Sequence, residues 1–140
     1  MAPNEVFVDT ACVVALLNRR DQHHGAARAL FDAVRSQSRL VTTRAVCFEI
    51  GDFYSRSGDR GRAAELLQDI DDADDIDVLP VNEDLYSRAL QLFSDRPEKE
   101  WSLTDCSSFV VMKDRGITAA LTTDRHFRQA GFVPLMRSNR

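Results

Sequence analysis

Val6-Phe7-Val8-Asp9-Thr10-Ala11-Cys12-Val13-Val14-Ala15-Leu16-Leu17 is the stretch on which the fold turns. Three apolar residues with strand character run up to Asp9, and residues 11–17 continue as an apolar run free of glycine and proline that reads as helix. A strand passing straight into a helix opens a βα unit, here with an acid at the junction. The turn has no glycine, so it is not the phosphate cradle of a nucleotide-binding module. Nor does it carry the second acid, two positions after Asp9, expected of a phosphohydrolase with an aspartate nucleophile, because that position is Ala11.

Outward from this unit, helix and strand patterns alternate. Ala26, Ala27, Leu30, Phe31 and Val34 recur at helical spacing, and Leu40-Val41-Thr42 reads as a second strand. Thr43 is placed to cap a helix with the stripe Val46, Ile50, Phe53 and Tyr54, and Ser57-Gly58-Asp59 breaks the chain before a helix through Ala63, Leu66, Leu67 and Ile70. Residues 76–81 predict a third strand. Asn82 caps a helix carrying Leu85, Tyr86, Ala89, Leu92 and Phe93, and residues 94–100 form a polar loop. Ser102-Leu103-Thr104-Asp105 has capping-box spacing and opens a helix through Phe109, Val110 and Met112 to Gly116. Ala119-Ala120-Leu121-Thr122 predicts a fourth strand, and a short helix with Phe132-Val133-Pro134-Leu135 closes the chain. Such alternation predicts a three-layer α/β domain spanning 1–140, with a mainly parallel sheet of four to five strands and helices on both faces.

Composition narrows the classes of function. With 140 residues and 44% hydrophobic content the chain suits one globular unit. No basic segment leads into an apolar stretch at the N-terminus, and the apolar run at 11–17 is too short to span a bilayer, so a cytoplasmic protein without a membrane partner is expected. Cys12, Cys47 and Cys106 lack metal-ribbon spacing and are expected as small core residues. A net charge of −4 argues at first against nucleic acid, but six of the residues 69–77 are aspartates, a local excess expected to be a solvated helix end. The cations are sixteen arginines and two lysines.

Four acids stand apart from that patch. Asp9 and Asp124 follow strands and so lie at or near the carboxyl edge of the sheet, where sites form in open α/β folds. Glu49 shares a helical face with Val46, Ile50 and Phe53, and Asp105 shares one with Phe109 and Met112. Singly, Asp9 and Asp124 read as helix caps, Asp105 as a capping-box acid, and Glu49 as the partner of an arginine such as Arg44. Together they form a set whose charges repel unless a cation neutralises them, and oxygen ligands select Mg2+ or Mn2+. His23 and His24 are expected at the surface, Trp101 as packing before its helix, and Arg125 and His126 either as RNA contacts or as solvated residues.

Val8-Asp9-Thr10, Glu49-Ile50, Trp101-Ser102-Leu103-Thr104-Asp105-Cys106 and Leu121-Thr122-Thr123-Asp124-Arg125-His126-Phe127 resemble the successive acidic motifs of PIN domains. The length, the order of acids and the ending Gly131-Phe132 further resemble the VapC-type toxins of bacterial toxin–antitoxin pairs. That resemblance implies a PIN-like fold and Mg2+- or Mn2+-dependent hydrolysis of RNA. It makes Asp9, Glu49, Asp105 and Asp124 the metal-binding and catalytic acids, with Thr10, Thr104 and Thr123 as supporting hydrogen-bonding groups. It also implies a homodimer and a small cognate antitoxin. A housekeeping RNA-processing nuclease and an inactive PIN-fold binding module are the alternatives.

Overall fold

The computed structural model describes residues 2–56 and 58–136. Strands and helices alternate as β1 (Glu5–Val8), α1 (Thr10–Leu17), α2 (His24–Gln37), β2 (Arg39–Thr43), α3 (Arg44–Phe53), α4 (Arg60–Asp72), β3 (Ile76–Leu79), α5 (Glu83–Asp95), α6 (Leu103–Arg115), β4 (Ala119–Leu121), α7 (Arg125–Gln129) and β5 (Val133–Pro134). The strands form one sheet in the order β3-β2-β1-β4-β5, and every pairing is parallel. β1 is central: Phe7 lies opposite Val41 on one side and Ala120 on the other. Val6, Phe7 and Val8 are all buried, as a parallel strand covered on both faces requires.

Right-handed crossovers explain the layers. Steps from β1 to β2 to β3 run one way across the sheet, so α1 to α4 fall on one face; steps from β3 to β4 to β5 run the other way and put α5 to α7 on the opposite face. Accordingly α1 packs on α2 and α3, and α3 on α4, while α6 packs on α5 and α7; α3 also meets α6. The core between the layers includes Phe7, Leu40, Val41, Ile50, Met112, Leu121 and Phe127, none more than 1% exposed. Each such side chain contributes about 1.5–3 kcal/mol through removal from water. A ladder of rings runs from Trp101 to Phe109 (5.1 Å, edge-on) to Phe127 (5.0 Å, edge-on), clamping the start of α6 against α7.

Helix ends follow the expected capping residues. Thr43 accepts from the Val46 amide, Asn82 from the Leu85 amide, and Ser102 with Asp105 closes a reciprocal capping box. Gly116 ends α6 at φ 68°, a left-handed conformation that glycine adopts without Cβ strain.

Four local expectations change. The third strand stops at Leu79 rather than residue 81, because Pro80 has no N–H to continue a ladder. On α3 the buried row is Val46, Ile50 and Tyr54, and Phe53 is 61% exposed; on α5 Leu85 and Ala89 are buried whereas Tyr86 and Phe93 are exposed. Cys12 and Cys106 are core residues, but Cys47 is only half-buried. His23 is exposed, while His24 is half-buried with Nδ1 3.2 Å from the Ala15 carbonyl.

The aspartates of 69–77 are not merely solvated. Arg44 pairs with Asp71 (2.7 Å), Arg35 with Asp75 (2.7 Å) and Arg39 with Asp77 (2.6 Å). Arg115, at the end of α6, joins Asp77 to Glu5. Since Glu5 and Arg39 begin their strands, the pairs made by Arg35, Arg39 and Arg115 lie along the amino edge of the sheet, whereas Arg44 follows the last residue of β2 and holds Asp71 of α4 from that end.

Candidate active site

β1 leads away toward β2 and β4 leads away toward β5, so the sheet reverses direction between the carboxyl ends of β1 and β4. Open α/β folds form their clefts at such a switch point. Asp9 follows β1 directly and is 4% exposed. It stands at the N-cap position of α1, yet its side chain makes no cap hydrogen bond. Instead the Thr122 hydroxyl, coming from the end of β4, donates to Asp9 Oδ2 at 2.8 Å. Burial, opposed by that bond and reinforced by the charge of Asp105, pushes the Asp9 carboxyl up to about 7.

Asp105 and Asp124 do serve as caps, and each still faces the cleft. Asp105 Oδ2 accepts from the Ser102 amide at 3.0 Å, and Asp124 Oδ1 accepts from the His126 amide at 2.9 Å. Each cap engages only one carboxylate oxygen. Burial raises the Asp105 carboxyl, and the charges of Asp124 and Glu49 add to the effect against the Ser102 bond and His126. Glu49, half-buried on α3, accepts a short hydrogen bond from the Thr10 hydroxyl. An ion pair with Arg44 is not formed, because Arg44 is engaged by Asp71. Asp9 feels Asp105 and Glu49, and Asp105 feels Asp124 and Glu49, so Asp105 interacts with each of the other three acids.

His126 extends this group. Its half-buried ring turns inward rather than to solvent, with Nδ1 3.1 Å from Asp124 Oδ1 and 3.4 Å from Asp105 Oδ2. The Nδ1 atom is fully buried and makes no hydrogen bond, so proximity to the two carboxylates leaves it without a partner. Asp105, Asp124 and His126 each offer a ligand atom, all within 4.8 Å of one another. An orphaned ring nitrogen beside two carboxylates fits a divalent cation, which would satisfy it and remove the repulsion between the acids. Asp9 and Glu49 flank this tight group rather than joining it.

The supporting threonines divide. Thr10 reaches Glu49 as described, whereas the hydroxyl on Asp9 belongs to Thr122, one position before Thr123. Thr122 Oγ1 also accepts from the Asp124 amide at 2.9 Å, tying two acids to one side chain. Thr104 contributes its backbone carbonyl to the Ser107 and Ser108 hydroxyls. Arg125 is exposed in the first turn of α7. Trp101 is 5% exposed and donates Nε1–H to Gln129, so it packs rather than stacks a base. The nearby thiols are not nucleophiles: burial pushes Cys12 up to about 12 and Cys106 up to about 11.

Comparison with known proteins agrees with this geometry. The PIN domain family matches residues 6–133. The 23S rRNA-specific endonuclease VapC20 of Mycobacterium tuberculosis is 33% identical over 128 residues, which is 91% of this chain and 95% of that protein. A crystal structure of the same toxin, described as cleaving the sarcin-ricin loop, superposes with a TM-score of 0.80 at 32% identity, covering 91% of this chain and 96% of that one. FitAcB from Neisseria gonorrhoeae shares the fold at 15% identity, with a TM-score of 0.61 over 92% of this chain and 94% of that one. VapBC2 from Rickettsia felis also shares it, at 11% identity and a TM-score of 0.69 over 95% and 98%. The all-parallel sheet, the acids at its switch point and the match across nearly the whole chain have one meaning: this chain belongs to the PIN-domain family and is similar to its VapC-type toxins.

Proposed function

We propose that this chain is an endoribonuclease dependent on Mg2+ or Mn2+, acting in the cytoplasm as the toxin of a toxin–antitoxin pair. One observation carries the reading. Asp9 is buried at the switch point with no arginine partner among the described residues, beside three further carboxylates and an imidazole nitrogen that makes no hydrogen bond. Carboxylates are rarely buried without a pairing partner, and a cluster of them is understandable as a site that receives its cation from solution.

In this reading Asp105, Asp124 and His126 hold the cation, with Asp9 and Glu49 completing the acidic wall. A bound divalent ion supplies positive charge for the phosphate and Lewis acidity that activates water for phosphodiester hydrolysis. Thr122 fixes the rotamer of Asp9 and the backbone of Asp124, so both acids stay aligned without metal. Thr10 does the same for Glu49, and Arg125 offers an exposed guanidinium to the RNA backbone. Ribosomal RNA loops of the kind cut by the mycobacterial relative are the first substrates to assay.

Two partners belong to the proposal. A small antitoxin would occupy the cleft of about 600 Å3 between α1, α2 and α4, where an apolar floor of Leu16, Phe31 and Leu66 is rimmed by four arginines, Arg19, Arg28, Arg35 and Arg62, against two acids, Glu65 and Asp69. An acidic amphipathic segment matches that surface. A second copy of the chain would cover the exposed hydrophobic side chains Phe48 and Phe53 of α3 and Tyr86, Leu90 and Phe93 of α5. Light scattering should give a dimer mass that Phe48→Glu with Leu90→Glu reduces to a monomer; a monomeric parent protein would sink the dimer.

The deciding experiment is cleavage of a ribosomal RNA pool by purified protein with Mg2+ or Mn2+, against EDTA and an Asp9→Asn variant. Cleavage that needs the metal and Asp9 is expected. Folded, Mn2+-loaded protein that cuts none of the pool would favour an inactive binding module.

A further inference from the structure

A small pocket adjoins the acidic cleft without belonging to it. It encloses about 260 Å3 and is walled by Ala15, Ala26, Leu30, Leu135 and Met136, with Thr123, Asp21 and His23 as its polar members. Thr123 lines it from between Thr122 and Asp124, whose side chains belong to the acidic site, so pocket and site share one stretch of chain. Helix α1 makes a second connection. Thr10 in its first turn holds Glu49, and Ala15, about 7.5 Å further along the axis, lines the pocket.

We propose that this pocket receives one unpaired nucleobase of the RNA, beside the phosphate held at the acids. The inference rests on the ribonuclease reading above and gives that site a means of choosing its substrate. Three features select a base over other occupants. The volume falls below the range of roughly 300–1,000 Å3 typical of pockets for larger ligands, so it suits a single flat ring system. The walls are aliphatic and thioether groups with an imidazole at the edge, surfaces on which extruded bases are sandwiched. The rim offers the Thr123 hydroxyl and the Asp21 carboxylate, groups that hydrogen-bond the edge of a base, and the carboxylate's charge disfavours a phosphate there. Enzymes that act within RNA loops read unstacked bases in this way, and the acids alone carry no sequence information.

The test uses the full chain and two independent readouts. Methyl NMR of the Asp9→Asn protein, titrated with each of the four nucleoside monophosphates and with short single-stranded oligoribonucleotides, should shift the Ala15, Ala26, Leu30, Leu135 and Met136 signals. It should leave those of buried Val41 and Val111 in place. Ala26 is exposed at the pocket wall, so Ala26→Phe should fold, block the pocket and abolish these shifts, whereas Ala26→Ser should preserve them. In cleavage assays Ala26→Phe should lower kcat/KM on a susceptible RNA loop about ten-fold, the worth of one stacked base. A substrate with one abasic nucleotide should show the same loss, and combining the two should add nothing further. Absence of pocket shifts with every nucleotide and oligonucleotide would overturn the proposal, as would additive losses from Ala26→Phe and every abasic position. Shifts in a protein that cuts no RNA would keep the base pocket and reject the nuclease reading instead.

Discussion

The two edges of the sheet treat the same side chain in opposite ways. At the amino edge, Asp75, Asp77 and Glu5 remain accessible and are met by Arg35, Arg39 and Arg115. At the carboxyl edge, Asp9 and Asp105 are buried and Glu49 and Asp124 half-buried, and no arginine pairs with any of them among the described residues. The first arrangement lowers carboxyl pKa values, as at Asp75 and Asp77, and the second raises them, as at Asp9 and Asp105. Abundance of acid is therefore no guide to function here. What distinguishes the candidate site is acid that the fold buries and declines to neutralise.

The largest effect that would separate the edges is on activity. Asp9→Asn or Asp105→Asn should cut RNA cleavage by about a thousand-fold, while Asp77→Asn at the amino edge should leave it within about two-fold. Cleavage by Asp9→Asn above a tenth of the parent rate would remove Asp9 from the chemistry. Next comes cation binding measured through stability. Mn2+ at a hundred times its Kd should stabilise the parent protein by about 2.7 kcal/mol, visible as a rise in Tm, and Asp105→Asn should abolish the gain. An equal rise in the variant would place the ion elsewhere.

Opposite pKa shifts demand opposite pH slopes in the metal-free protein. Asp9 is raised from 3.8 to about 7, so the folded state holds its proton more tightly, and stability should fall as pH rises across that interval. Asp75 and Asp77 are lowered by their arginine bonds, so their contribution is present above the unfolded carboxyl value and is lost only as pH falls through the lower folded values. Chemical denaturation of Asp9→Asn between pH 4 and pH 7 (about the range of the Asp9 shift) should show the neutral-range decline removed and the acid limb kept. Smallest of all, Arg39→Ala should leave the urea midpoint nearly unchanged, because its pair with Asp77 is accessible to solvent and screened by salt. A clear drop in that midpoint would show that the amino-edge network acts as a unit.

Much of the fold was legible in the alternation of patterns. The run into Asp9, the capping residues Thr43, Asn82 and Ser102, and the stop at Gly116 are local signals, and each appears where the sequence places it. The convergence of acids was legible through topology, since residues after parallel strands share an edge. Side-chain orientation was not. His126 turns inward because Asp124 caps α7 and fixes the first turn, an outcome that no spacing between the two residues reveals. Thr122 rather than Thr123 serves Asp9 because adjacent residues at a strand end point to opposite faces, and which face belongs to the site depends on register with β1. Phe53, Tyr86 and Phe93 fit helical stripes, yet each helix buries a different row, a choice settled by the elements packed against it.

β5 has a consequence for how copies of the chain can meet. The Val133 and Leu135 amides both point to β4, donating to Thr118 and Ala120. Pro134, between them, therefore presents its nitrogen to the open side of the sheet, where a further strand would seek an N–H and find none. The opposite margin, β3, carries Asp77 held by two arginines. Both rims thus resist the strand-upon-strand growth that leads parallel sheets into fibrils, which leaves helical faces as the natural meeting surfaces for a protein kept folded at high concentration.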